Sequence, residues 1–179
     1  MVIATVSPLV FSLEDYMQNP PDGVEWVDGQ LIEKKGMTLL HGEVQATLSA
    51  YWRSYAISSG QGGKVYTDTP CRTNKQGRRP DVAYLTPSLV AQYGKLPVLP
   101  VSFPLAAEIA SPTDLVEEFF AKANEYLDSG SQEVWLVLPE NKWIFVMTET
   151  QKLWFGSGEV VSTQVVLPGF SVAVDELLA

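Results

Sequence analysis

A chain of 179 residues, 46% apolar and with five Trp, is long enough to bury roughly 70% of the surface its unfolded form exposes, so it needs no covalent staple. Cys71 is the single cysteine, which excludes a disulfide framework and makes a reducing cytoplasm the expected compartment. The net charge of −9, from 12 Lys and Arg against 21 Asp and Glu, excludes a general nucleic-acid coat while leaving room for one local basic patch.

The opening run Met1-Val2-Ile3-Ala4-Thr5-Val6-Ser7-Pro8 lacks a basic segment followed by an apolar stretch, so no secretory signal is expected. No segment reaches the roughly 18 consecutive apolar residues that a membrane span requires. Ser12 caps a short predicted helix over 13–17, which Asn19-Pro20-Pro21-Asp22-Gly23 ends. Residues 24–33 read as a hairpin, with Asp28-Gly29 supplying the positive φ angles of its tight turn. A helix over 41–58 follows from the helical spacing of Val44, Leu48, Tyr51, Trp52 and Tyr55. His41 shares that buried face, and Glu43 points away from it.

The glycine-rich segment 58–63 ends this helix. Strands are predicted over 64–73 and 81–85, joined by a basic turn over 74–79. Four basic residues, Arg72, Lys75, Arg78 and Arg79, crowd into this turn and its edge. A solvated loop explains such a cluster; so does a patch for backbone phosphates. Residues 86–100 read as a loop with at most one helical turn, and 105–110 as the central strand. Ser111-Pro112-Thr113-Asp114 then predicts a helix start, with a serine cap, proline at the first position and an acid at the third. That helix runs to about Ser129 and stops at Gly130. Strands over 133–138 and 143–147 flank the turn Pro139-Glu140-Asn141-Lys142, and a last pair of strands surrounds Pro168-Gly169. The whole, 1–179, reads as one α/β domain: a mixed central sheet flanked by helices, with an N-terminal β-hairpin.

Two carboxylates stand where strands should be apolar. Asp81 opens Asp81-Val82-Ala83-Tyr84-Leu85, and Glu108 interrupts Leu105-Ala106-Ala107-Glu108-Ile109-Ala110. A carboxylate there costs several kcal/mol unless it is paired, protonated or bound to a metal. Together they read as a divalent-cation site; turn caps or arginine pairs are the alternative. The following helix buries Leu115, Val116, Phe119, Phe120, Ala123, Tyr126 and Leu127, with Lys122 at the margin of that stripe. Glu117, Glu118, Glu125 and Asp128 are expected toward solvent or on the opposite face. A marginal lysine commonly snorkels to water, yet this one starts from a helix directly after the Glu108 strand and can reach back. Two acids and a lysine suit hydrolysis of a phosphodiester: Mg²⁺ on Asp81, Glu108 and the Ile109 carbonyl, with Lys122 orienting the attacking water or neutralising the phosphorane.

The sequence resembles the Uma-type family of restriction-endonuclease-like proteins, within the P-D-(D/E)-x-K nuclease superfamily. The resemblance rests on Arg79-Pro80-Asp81-Val82, Glu108-Ile109-Ala110-Ser111-Pro112-Thr113-Asp114, Lys122 with Tyr126 and Gly130, and Glu133-Val134-Trp135-Leu136-Val137-Leu138-Pro139. It extends to Val24-Glu25-Trp26-Val27-Asp28-Gly29-Gln30-Leu31, to His41 and to Leu167-Pro168-Gly169-Phe170, nearly the whole chain. It implies a restriction-endonuclease-like fold with Asp81 and Glu108 as ligands of Mg²⁺, or of Mn²⁺. The superfamily lysine would fall at Ala110; the Uma-type pattern places it on the next helix, at Lys122. A first-helix glutamate is common in the superfamily, and the nearest candidate, Glu43, points outward. His41 faces inward toward the site or is simply a hydrogen-bonded core histidine.

Other chemistries are poorly supplied. Gly60-Gln61-Gly62-Gly63 lacks the Lys-Ser or Lys-Thr of a phosphate loop, and one Cys with one His cannot build a usual zinc site. No serine sits in a nucleophile elbow for a triad through His41. The five Trp are expected in the core rather than as base-stacking platforms. Two functions follow: a Mg²⁺-dependent DNA endonuclease using Asp81, Glu108, Lys122 and His41, or a non-catalytic module of the same fold that binds DNA or protein, with a homodimer as one arrangement.

Overall fold

The computed structural model describes residues 11–34 and 37–179. The expectation for the opening eight residues therefore lies outside the described part. Helix α1 (Leu13–Gln18) begins with a capping box: the Asp15 amide donates to Ser12 Oγ, and the Ser12 amide donates to the Asp15 carboxylate. Strands β1 (Val24–Val27) and β2 (Gln30–Glu33) turn about Asp28 and Gly29, at φ 50° and 85°. Both central residues thus sit in the left-handed region, as the twist of a two-residue hairpin demands. Helix α2 (Leu39–Ser58) starts two residues earlier than expected because the Thr38 hydroxyl accepts the His41 amide hydrogen.

The predicted strand over 64–73 is broken. Only β3 (Lys64–Thr67) remains with the main sheet; at Asp68 the chain takes φ 47° and leaves it. It then forms β4 (Cys71–Arg72) and β5 (Gly77–Arg78), a small hairpin that joins β1 to give a separate sheet of order β2-β1-β5-β4. Gly77 is required there, since a Cβ would meet the Tyr16 ring at 2.3 Å. The chain returns to the main sheet as β6 (Val82–Leu85), and the expected loop after it contains a two-turn helix, α3 (Pro87–Tyr93), opened by its proline.

Strand β7 (Leu105–Ile109), helix α4 (Val116–Asp128) and strand β8 (Glu133–Leu138) form a parallel crossover unit. The helix start expected at Ser111 is a turn instead. Asp114 accepts the Ser111 amide hydrogen on its own carboxylate and donates its amide hydrogen to the Ser111 carbonyl. This local closure competes with helix formation, and α4 begins only after Leu115. Strands β9 (Trp143–Thr148) and β10 (Lys152–Phe155) complete a six-stranded sheet of order β10-β9-β8-β7-β6-β3. Strand β10 was not anticipated. The last pair, β11 (Val160–Ser162) and β12 (Ser171–Ala173), stands apart as a two-stranded ribbon before the short helix α5 (Val174–Leu177).

The central sheet is covered on both faces, which is why its strands read as continuous apolar runs. Val44, Leu48 and Trp52 of α2 pack on the side of Val82, Ala107, Ile109 and Trp135. Phe119, Ala123 and Tyr126 of α4 pack on the side of Ala83, Val134 and Leu136. Trp52 and Trp135 meet edge-to-face at 5.6 Å, a core pair worth about 1 kcal/mol beyond its buried area. Trp143 and Trp154 are a correction to the expected burial of all tryptophans. They meet edge-to-face at the exposed margin formed by β9 and β10. Among the described residues, no helix is long and apolar enough to cross a membrane.

Candidate active site

Strands β6 and β7 run antiparallel with Val82 opposite Ala107, so the next step along the register sets Asp81 opposite Glu108. Beyond that point the pairing stops. The Ile109 amide, left without a strand partner, donates instead to Asp81 Oδ2 at 2.7 Å. Within an extended strand the N–H and C=O of one residue project to the same edge, so the Ile109 carbonyl is directed to the Asp81 side as well. Both acids are almost fully buried, at 2% and 3% exposure. Burial without compensation is prohibitive for two carboxylates, and each accordingly has a cation against it.

Lys122 is the cation on Glu108. From the middle of α4 its ammonium donates to Glu108 Oε2 at 2.9 Å and contacts Glu25 Oε1 at 2.8 Å. Tyr126, one helical turn further, donates its hydroxyl to Glu108 Oε1 at 2.8 Å. Lys34, at the end of the first hairpin, is the cation on Asp81, at 2.5 Å. His41 Nε2 lies 3.3 Å from the other oxygen of Asp81. Lys34, His41, Asp81, Glu108, Ile109 and Lys122 all line one cleft of about 570 Å³. Glu43 is on the exposed face of α2 and outside this lining.

The two acids differ in their proton affinity. Burial opposes ionisation of Asp81, but the hydrogen bond from His41 and the charges of Lys34 and Lys122 outweigh it, and the carboxyl is held below the usual carboxylate range. For Glu108 burial wins. Lys122 counteracts it, the neighbouring Asp81 charge adds to it, and the carboxyl is pushed up to about 7. The hydrogen bond to Asp81 raises the His41 imidazole above its ordinary 6.5, against the effect of burial. Burial opposes protonation of Lys122, but Glu108 and Glu25 hold it firmly charged.

Several participants were not expected. Glu25 is the one buried residue of β1 and carried the same signal as Glu108, a carboxylate inside an apolar strand. Gln45 follows His41 by one helical turn, so the periodicity that placed His41 inward also placed Gln45. Its amide donates to Asp68 Oδ2 at 2.6 Å and to the Asp81 carbonyl at 2.9 Å. Lys34 and Asp68 gave no such signal, because a lysine at a hairpin end and an aspartate after a strand are ordinarily solvated. Glu125, expected toward solvent, instead accepts the Thr73 hydroxyl at 2.6 Å and pairs with Arg78.

The basic residues do not form one exposed patch. The Arg79 guanidinium is buried and donates to the carbonyls of Pro21, Val24 and Asp68. Arg78 lines the cleft between Glu25 and Glu125, and Arg72 forms a two-pronged pair with Glu14 on α1. Lys75 is exposed at the turn between β4 and β5. Arg72 and Arg78 thus answer nearby carboxylates, while the Arg79 guanidinium answers backbone carbonyls.

Carboxylate oxygens and a strand carbonyl, in a chain with one histidine and one cysteine, would suit a hard divalent cation. A cation there would also offset the burial that raises the Glu108 carboxyl, and the smaller effect of the Asp81 charge. Among the described residues no group of three or more His, Cys, Asp and Glu side chains is arranged around a metal position, so an ion held by Asp81 and Glu108 would need a carbonyl and water to complete its shell. Mg²⁺ ordinarily keeps several waters.

A mixed sheet sandwiched between helices, with paired acids at the end of β6 and β7 and a lysine returning from α4, is the architecture of restriction-endonuclease-like proteins. Residues 11–175 match the Uma2 family model, described as "Putative restriction endonuclease", and the chain belongs to that family. The fold is similar to the crystal structure of "a putative nuclease belonging to DUF820" from Anabaena variabilis, with a TM-score of 0.81 at 16% identity over 93% of this chain and 96% of that one. No curated protein matches the chain.

Proposed function

We propose that the protein is a Mg²⁺-dependent endonuclease that hydrolyses DNA phosphodiester bonds, with Mn²⁺ as an effective substitute. The observation that carries this reading is the placement of Asp81 opposite Glu108, both buried, with the Lys122 ammonium on Glu108. Asp81, Glu108 and the Ile109 carbonyl would hold the ion. When bound, Mg²⁺ supplies a water of lowered pKa and positive charge for the phosphoryl oxygens. Lys122 is charged and fixed between Glu108 and Glu25, where it can orient the nucleophile and offset charge developing on phosphorus. His41 and the Ile109 amide hold Asp81 ionised and oriented, and Tyr126 does the same for the position of Glu108.

DNA would approach the open mouth of the cleft past Arg78 and the exposed Lys75. Arg79 supports the loop from within rather than touching DNA. The test is cleavage of plasmid, single-stranded and branched DNA with Mg²⁺ or Mn²⁺, beside protein carrying Asp81→Asn. A non-catalytic module, binding DNA or protein as a monomer or homodimer, is the second reading. It is favoured by one specific observation: Lys34 and Lys122 already neutralise the two acids, so the fold does not depend on an ion to tolerate them.

A further inference from the structure

Lys34 lies in surroundings that a surface lysine does not need. Its ammonium meets three oxygens: Asp81 Oδ1 at 2.5 Å, Asp68 Oδ1 at 2.8 Å and the Arg79 carbonyl at 2.9 Å. An ammonium carries three hydrogens, and here each has an oxygen. The walls of this cage are built without help from the lysine. Asp68 is held at φ 47°, a left-handed conformation that non-glycine residues seldom adopt. Its carbonyl accepts the Arg79 guanidinium at 3.0 Å, and its second carboxylate oxygen accepts the Gln45 amide at 2.6 Å. Asp81 is fixed in the same way through its other oxygen, by the Ile109 amide. Each carboxylate therefore presents one pre-oriented oxygen to the same point. The Asp68 side chain is 38% exposed and that of Lys34 15%, so the cage lies near the surface.

Three converging oxygens, two of them anionic, are what a small hydrated cation seeks. Asp81 is also a ligand of the proposed metal position, so the cage shares a ligand with it. We propose that Lys34 is a tethered cation occupying a second cation site. The chain would then bind a single divalent ion, at Asp81 and Glu108, where an open cage would take another. This inference rests on the nuclease reading only for the identity of that first ion. In two-metal nucleases a second ion contributes fixed positive charge beside the reacting phosphate. Lys34 provides that charge as a covalent part of the chain, at a distance set by the hairpin, and makes it independent of ion concentration.

The experiment is a count of bound Mn²⁺, by electron paramagnetic resonance of the free ion, on wild type, Lys34→Ala and Lys34→Ala/Asp68→Asn. Lys34→Ala is expected to bind one ion more than wild type, and the double variant to lose that extra ion. Equal counts for Lys34→Ala and wild type would overturn the inference. If Lys34→Ala is unfolded in ion-free buffer, its circular dichroism is followed as Mn²⁺ is added. Recovery of the wild-type spectrum is expected, and no recovery at millimolar Mn²⁺ would overturn the inference. The wild-type count bears on the other reading alone. Wild type that binds no ion removes the metal-dependent nuclease, while the difference between variant and wild type still decides Lys34.

Discussion

The Ile109 amide hydrogen goes to Asp81 Oδ2, 2.7 Å away, at the step where β6 and β7 cease to pair as strands. A side chain thus continues the sheet by one hydrogen bond and, in doing so, is aimed. Asp81→Asn keeps the shape but removes the charge that Lys34 and His41 oppose. It is expected to abolish Mg²⁺-dependent cleavage and to destabilise the fold by about 3–5 kcal/mol, the range for breaking a buried ion pair on one side. The lowered proton affinity of Asp81 gives that sign, and denaturant melts of the two proteins check it.

The strained acid is Glu108. Its folded value, about 7, lies above the ordinary 4.5. A raised carboxyl contributes stability that is fully present below the unfolded value and is lost as pH rises through the folded one. In metal-free protein the contribution of Glu108 should therefore decline between pH 4.5 and about 7. Asp81 and Glu25 act in the opposite sense at lower pH, because both are held below their ordinary values and lose their contribution as pH falls. The difference in melting temperature between wild type and Glu108→Gln isolates the first effect. A difference that does not change across that window would contradict it.

The two acids and Lys122 were legible because each broke a pattern: charges inside apolar strands, and a lysine at the edge of an apolar helix stripe. Pattern alone does not separate function from structure, however. Glu133 is as buried as Glu108, yet its carboxylate collects the amide hydrogens of Gln164, Val165 and Val166 and the Trp135 indole, and simply anchors a loop. Lys34 was illegible for another reason. Its role depends on where a hairpin lands against residues 34 and 47 positions away in the chain, and no local property of Lys34 records that. The helix expected at Ser111 failed on local competition, where Asp114 served its own turn before it could serve a helix.

Lys122→Met removes the ammonium and keeps much of the stem. Glu108 and Glu25 then lose their shared cation, so stability should fall by about 3–5 kcal/mol. Cleavage should slow by roughly 100-fold or more, the scale for one lost electrostatic stabiliser. Divalent-ion binding should persist at no weaker affinity, since an ammonium that competes for Glu108 Oε2 is gone. Single-turnover rates beside calorimetric titration with Mg²⁺ separate these effects.

Salt dependence distinguishes the basic residues. Lys75→Ala should lower the slope of log K against log salt for DNA by roughly 1, as loss of one phosphate contact does. Arg79→Ala should leave the slope of the folded fraction unchanged and depress the melting temperature, because its guanidinium serves three carbonyls inside the protein.

The central claim is that Asp81 and Glu108 together hold the ion that supports phosphodiester cleavage. The most direct measurement is calorimetric Mn²⁺ titration of wild type, Asp81→Asn and Glu108→Gln, each followed by plasmid cleavage with the same samples. Wild type is expected to bind Mn²⁺ and nick plasmid, and both variants are expected to lose the two properties together. Cleavage that survives Asp81→Asn, or wild type that neither binds the ion nor cuts, would contradict the account.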